Sequence, residues 1–231
     1  MQLLAALILP WLFANTSGSS RTVSGTPTTT HTPSFHIPNG DLIFVKPPLT
    51  STSPLDRAIL ATGTATLNWL RTHNYNVNPN NEISLHVALS YVAVNHSRYF
   101  IQAIPPQVVI TPEIDFYHMI GPNTQLFHGA LSFNNSVRAA AIKKALLQVG
   151  KPYANDFQAP PKEFYCSSLI EYSYFPAHSF IEEIFKLIFV PTSFWKKYYR
   201  ERNMSLPINV TGSNPTLLMY SPFVNLSLID R

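Results

Sequence analysis

Residues 164–170 read Phe164-Tyr165-Cys166-Ser167-Ser168-Leu169-Ile170 and follow the Pro-rich loop Gln158–Pro161. The prolines hold that loop out of a helix, and the apolar residues beyond it ask for burial, so the pattern predicts a helix over Phe164–Tyr174. Cys166 then falls at or near the helix N-terminus. There the first N–H groups lack intrahelical partners and the macrodipole favours negative charge. Such a position lowers a thiol pKa and suits the oxyanion of a tetrahedral intermediate, which makes Cys166 a candidate nucleophile. The competing reading is a small buried hydrophobe, a common fate of a free Cys. Cys166 is the chain's one cysteine, which excludes an intramolecular disulfide and a thiolate-based zinc or iron–sulfur site.

Working backwards, Asn134–Val149 reads as a helix with Val137, Ala141, Ala145 and Leu146 on one side, ended by Gly150. Tyr153 lies between that helix and Cys166 and is a candidate hydroxyl donor to the same cleft. Two strands are expected at Ser84–Val94 and Ser97–Ala103 around a turn at Asn95-His96, with a short strand at Val108–Thr111. His86 interrupts the apolar run of the first strand and Gln102 that of the second. His86 is a satisfied core residue or a general base projecting into a cleft, and Gln102 is an edge residue facing water or the amide that orients that imidazole. Further back, Asp41–Val45 is an apolar strand entered through Asn39-Gly40. Pro54–His73 is a helix with Ser53 as N-cap, Pro54 at its first position, and Ile59, Leu60, Leu67 and Leu70 facing inward. On the C-terminal side an amphipathic segment at Phe180–Phe189 leads into the aromatic, basic stretch Phe194–Arg202. There the lysines form a solvated helix face over packed aromatics, with contact to an anionic surface as the alternative.

The whole chain has 231 residues, enough for one domain with a tail. At 45% its hydrophobic content supports a core, while 12% charged residues is about half the usual share, so Ser, Thr, Asn and Pro must cover the surface. A net charge of +4 scattered along the chain does not point to nucleic acid. Residues 1–18 read as a signal peptide or hydrophobic leader, because the apolar run from Leu3 to Ala14 is too short to span a bilayer. Residues 19–38 are a Ser/Thr/Pro-rich linker, and 39–231 the folded domain. N-x-Ser/Thr acceptor sites stand at Asn15, Asn95, Asn134, Asn203, Asn209 and Asn225; with the leader they point to a secreted glycoprotein. His31, His36, His73, His96, His118 and His128 show no metal-binding spacing and are assigned to surface or loop positions, so no metal or other cofactor is expected.

Several of these segments together resemble one family. Gly40-Asp41-Leu42-Ile43-Phe44, Leu55-Asp56-Arg57-Ala58-Ile59, Leu85-His86-Val87-Ala88, Ile101-Gln102-Ala103, Val149-Gly150-Lys151-Pro152-Tyr153 and Tyr165-Cys166-Ser167-Ser168-Leu169-Ile170 occur in the order seen in permuted papain-like amidases of the YaeF/YiiX type, within the NlpC superfamily. The tail segments Phe194-Trp195-Lys196-Lys197-Tyr198-Tyr199, Leu206-Pro207 and Gly212-Ser213-Asn214-Pro215 fit as well. The resemblance implies an α+β, circularly permuted papain-like fold: an antiparallel sheet packed against helices, with the His strand preceding the Cys helix. It implies Cys166 as nucleophile, His86 as general base, Gln102 at the orienting position where the family most often has Glu, and Tyr153 as the Tyr leading to the nucleophile helix. Ser168 stands where the family usually has an acidic residue. The implied activity is thiol-dependent hydrolysis of an amide, of the peptide, isopeptide or peptidoglycan kind, through a thioester. Acyl transfer on lipid esters or amides, as in relatives resembling lecithin:retinol acyltransferase, and an inactive binding module are the alternatives. The partners expected are a peptide, peptidoglycan-like or lipid substrate and a peripheral membrane contact, but no nucleic acid.

Overall fold

The computed structural model describes residues 37–46, 53–77, 80, 82–122, 124–157, 160–176, 189–207 and 212–229. The leader, most of the linker and the segment at Phe180–Phe189, apart from Phe189 itself, lie outside the described residues, as do Asn15 and Asn209.

The framework is a six-stranded sheet built from β1 (Leu42–Lys46), β2 (His86–Val92), β3 (Arg98–Ile104), β4 (Gln107–Pro112), β5 (Gln125–Leu131) and β6 (Val224–Ile229). Its order is β4-β3-β2-β1-β5-β6 and every pairing is antiparallel. Chain neighbours β2, β3 and β4 form a meander closed by tight turns, as Asn95-His96 and Pro105-Pro106 allow. β1 sits in the middle of the sheet because Leu42, Ile43, Phe44 and Val45 are all fully buried, a run that only a strand covered on both faces accommodates.

Six helices complete the fold: α1 (Pro54–Thr72), α2 (Glu113–Ile120), α3 (Asn135–Leu146), α4 (Cys166–Tyr174), α5 (Thr192–Arg200) and α6 (Pro215–Met219). α4 packs on β2 and β3, α3 on α4, and α1 against α5 and α6. The α5 contact follows from its sequence. Trp195, Tyr198 and Tyr199 fall on one side and are buried, while Lys196, Lys197 and Arg200 face solvent. The Trp195 indole N–H donates to Thr62 Oγ1 of α1 at 2.8 Å, and the Tyr198 hydroxyl donates to the carbonyl of Asn155 at 3.0 Å. Each buried aromatic of this kind stabilises by roughly 2–3 kcal/mol, so α5 is fastened to the loop before α4 by both burial and hydrogen bonds.

Several local expectations are corrected. Ser53 occupies the N-cap of α1 but its side chain makes no capping hydrogen bond; Pro54, which needs no acceptor, starts the helix instead. The inward stripe of α3 is Ala141, Ile142 and Ala145, with Val137 and Leu146 only half-buried. α4 begins at Cys166 rather than Phe164, because Phe164 is held in a parallel bridge to Tyr153. α2, β5 and β6 were not anticipated. β5 (QLFHGAL) carries a His and a Gly that break its apolar pattern, and β6 alternates half-buried and exposed residues at the sheet edge.

Candidate active site

Cys166 is the first residue of α4, following Tyr165 at the N-cap. Ser168 at N3 fixes that start. Its Oγ accepts the Tyr165 N–H at 3.0 Å and lies 2.9 Å from the Tyr165 carbonyl, to which it can donate. Reaching back to the N-cap amide is what an acidic or amide residue at N3 does in a capping box. Ser168 therefore performs, with a shorter side chain, a structural task that explains a polar residue here without any charge. Behind the N-cap, the hydroxyl of Tyr165 accepts the backbone N–H of Ser213 at 3.0 Å, which ties the loop before α6 to the start of α4.

Cys166 is 5% exposed, and burial pushes the pKa of its thiol up to about 11. Backbone hydrogen bonds from Val87, Ser167 and Cys166 itself, with the Ser167 hydroxyl, pull the other way without overcoming burial. The Val87 contact matters for geometry: it places the sulfur against β2 one residue beyond His86. Position at a helix N-terminus alone suggests a lowered pKa; withdrawal from water reverses the direction.

His86 is the first residue of β2, 3% exposed, and burial lowers its pKa to about 4, against a smaller upward pull from Gln102. Its Nε2 lies 2.7 Å from Gln102 Oε1. Gln102 is fully buried on β3, and its Nε2 donates to Thr111 Oγ1 of β4 at 2.8 Å. With the amide nitrogen spent on Thr111, the carbonyl end faces the imidazole. An amide carbonyl only accepts, so Nε2 of His86 carries the proton and Nδ1 is the basic nitrogen. The pairing register carries this line diagonally across the sheet: Gln102 opposes Val109, and Thr111 lies two residues further along β4 on the same face.

Tyr153 is 5% exposed and anchored by its backbone, its N–H donating to the Pro106 carbonyl at 2.9 Å. Burial, then the nearby Cys166, Tyr198, Tyr165 and Asp56, raise its phenol well above the usual range, which keeps it a neutral donor in the same cluster as the thiol. Beside Cys166 lies a narrow pocket walled by Ile59, Thr62, Phe157, Tyr165, Trp195 and Pro215; it leaves about 10 Å³ for water-sized bodies, room for roughly one molecule. Thus His86 and Gln102 are joined by a hydrogen bond, Cys166 lies against Val87 next to His86, and Tyr153, outside the named strands and helices, is near enough to Cys166 to feel its charge. Thr111 was missed, since nothing in Val108–Thr111 sets its last residue apart from an ordinary strand Thr.

The remaining histidines divide differently. His128 is not a loop residue: it lies in β5, with Nε2 2.8 Å from Asp41 Oδ2. Asp41 is fully buried, pairs also with Arg138, and accepts the Leu131 N–H at 3.0 Å. Gly40 makes room for this cluster, with φ of +86° and Arg138 so close that a Cβ would meet its side chain at 2.8 Å. His73 is exposed and stacked on Trp69, and His96 and His118 are exposed. The acceptor asparagines Asn95, Asn134, Asn203 and Asn225 are all exposed; Asn134 also caps α3 by accepting the Val137 N–H.

No curated protein matches the chain. Among solved structures, that of the protein titled metalloprotein yiiX from Escherichia coli O157:H7 is similar in fold, with a TM-score of 0.62, 16% identity, and coverage of 85% of this chain and 98% of that one. Residues 36–222 match the family described as permuted papain-like amidase enzymes, YaeF/YiiX, C92. The chain is a member of this permuted papain-like amidase family and has its α+β fold.

Proposed function

We propose that the protein is a cysteine hydrolase that cleaves an amide bond through a thioester on Cys166. The observation that carries this reading is the sulfur of Cys166 at a helix N-terminus, against the strand whose His86 has its Nε2 committed to Gln102. Nδ1 of His86 takes the thiol proton as Sγ attacks the carbonyl carbon. N–H groups of the first turn of α4 hold the oxyanion, and the imidazolium returns the proton to the leaving amine. A water molecule, deprotonated by the same Nδ1, then attacks the thioester; the carboxylic acid leaves and the proton returns to Sγ. Between pH about 4 and about 11 the pair rests as neutral imidazole and neutral thiol, so proton transfer accompanies attack instead of preceding it.

The substrate is proposed to be a peptide or isopeptide of the peptidoglycan kind. A second reading, an ester or amide of a short acyl chain with water or an alcohol or amine as acceptor, has the apolar character of the walls beside Cys166 in its favour and requires that narrow pocket to widen. The test sets the tripeptide L-Ala-γ-D-Glu-meso-diaminopimelate against p-nitrophenyl esters of increasing chain length, with Cys166→Ala as control. Cleavage of the tripeptide supports the first reading and ester turnover alone the second. Turnover of neither, with an iodoacetamide rate indifferent to His86→Ala, overturns both and leaves a binding module.

The exposed acceptor asparagines support entry into the secretory pathway and glycosylation, checked by the mass shift on treatment with an N-glycosidase. A metal does not fit this site. Among the described residues no three His, Cys, Asp or Glu side chains gather, and the Asp41–His128 pair has its carboxylate already occupied by Arg138 and the Leu131 N–H.

A further inference from the structure

We propose that the turn Ser213–Thr216, which opens α6, sets the spacing between Cys166 and His86, with Thr216 as the positioning residue on the histidine side. This rests on the reading of that pair as nucleophile and general base. The two lie on separate elements, α4 and β2, and a misplacement of about 1 Å between reacting groups costs on the order of a hundredfold in rate. Gln102 holds the imidazole by Nε2. The backbone of His86 is less secured by the sheet: β2 is registered on β1 there, but on β3 only from Leu89 to Val92.

The turn adds an anchor and reaches both members of the pair. On one side the Ser84 N–H, which can only donate, meets Thr216 Oγ1 at 3.1 Å, and the Thr216 proton goes to the Ser84 carbonyl at 3.3 Å. Both capacities of that hydroxyl are thus spent on one residue, two positions before His86. The Ser84 hydroxyl in turn donates to the nearer of two carbonyls, that of His86 at 2.7 Å against that of Val45 at 3.3 Å. On the other side the Ser213 N–H donates at 3.0 Å to the hydroxyl of Tyr165, the residue before Cys166. Between them Asn214 fastens the turn to α1. Its Oδ1 accepts the Leu217 N–H at 2.9 Å and its Nδ2 donates to Thr66 Oγ1 at 3.1 Å. The Thr66 proton is committed to the Thr62 carbonyl at 2.8 Å, which leaves that oxygen to accept. Gly63 lets α1 come this close, since a Cβ there would meet Thr216 Oγ1 at 2.8 Å. Ser84, Tyr165, Ser213, Asn214 and Thr216 are all buried, so bulk water does not replace a bond that is lost. Thr216 bonds to neither the sulfur nor the imidazole and acts through Ser84.

The experiment measures the second-order rate of Cys166 alkylation by iodoacetamide in matched variants with and without His86→Ala. The ratio of the two rates is the acceleration that depends on the histidine, and taking it cancels any change in how open the buried thiol is. We expect Thr216→Val, of the same shape but without the hydroxyl, to shrink that ratio about tenfold, and Thr216→Ser to restore it. A threonine that only supported the fold would change both rates alike and leave the ratio untouched. Should Thr216→Val not fold, Ser84→Ala reads the same ratio, because it keeps both backbone contacts to Thr216 and removes only the hydroxyl that holds the His86 carbonyl. Tyr165→Phe releases the turn from α4 and should shrink the ratio as well. Because the turn acts as one bridge, Thr216→Val combined with Tyr165→Phe should lose little more than the worse single variant. An unchanged ratio in Thr216→Val, or in Ser84→Ala where that variant stands in for it, overturns the proposal, as do losses that simply multiply in the double variant. A wild-type ratio near one overturns the Cys166–His86 pair and the positioning role with it, whereas a large ratio with no hydrolysed substrate found counts against the proposed function alone.

Discussion

Two histidines of one sheet, His86 buried and His128 half-buried, are held by opposite means. His128 meets Asp41, whose carboxylate is also paired with Arg138 and bonded to the Leu131 N–H, so β1, β5 and α3 are tied together around one buried carboxylate. His86 meets Gln102, a neutral amide that in turn meets Thr111, so nothing compensates a positive ring and burial drives its pKa down to about 4. The first arrangement makes a joint. The second keeps an imidazole neutral and basic at physiological pH beside a thiol that burial keeps protonated. The partner, more than the histidine, decides which of the two is made.

The comparison is broken most severely at Cys166. Cys166→Ser should abolish iodoacetamide labelling and lower hydrolysis more than about a thousandfold while leaving the unfolding midpoint near that of wild type; His86→Ala should cost about 10²–10⁴-fold in hydrolysis. On the other side, Asp41→Asn should destabilise by about 2–4 kcal/mol in urea titration, because it removes the buried carboxylate that pairs with the half-buried Arg138 guanidinium. Its alkylation rate, corrected for the folded fraction, should stay that of wild type. A fall in that rate would mean the two clusters are not separate.

Acid titration sharpens the contrast. His86 has its folded pKa lowered from about 6.5 to about 4, so the unfolded chain binds the proton more readily. Stability should thus be lost as pH falls from about 6.5 to about 4, by about 3 kcal/mol, and His86→Gln should remove that loss. The raised thiol of Cys166 has the opposite sign: its contribution is complete below about pH 9 and fades towards about 11. The smallest effect is expected at the cap. Ser168→Ala should cost about 1 kcal/mol in stability, and Ser168→Glu should recover most of it, as the capping role requires.

Much of the site was legible before any coordinates because its members break local patterns. A His and a Gln inside apolar strands and a Cys after a Pro-rich loop each stand out against their neighbours. The helix N-terminus at Cys166 was readable to within two residues, since the prolines before it and the apolar run after it bracket the start. Thr111 and His128 were not readable. Thr is ordinary in a strand, and His128 derives its meaning from Asp41, 87 positions away. β6 was hidden for a related reason: an edge strand buries only one face partially, so its pattern is weak.

Sequence alone determined the types of the elements it located, from β1 and α1 through the His strand to the Cys helix, and the short list of groups able to do chemistry. These rest on periodicity, on turn and cap residues, and on side-chain reactivity, all of which are local. The tertiary structure decided the direction in which burial moves the His86 and Cys166 pKa values, the end of the Gln102 amide that faces His86, the capping role of Ser168, and the division of two histidines between a carboxylate partner and a neutral amide. Each of those depends on how much water is excluded and on which polar group lies within about 3 Å, and both are set by segments far apart in the chain.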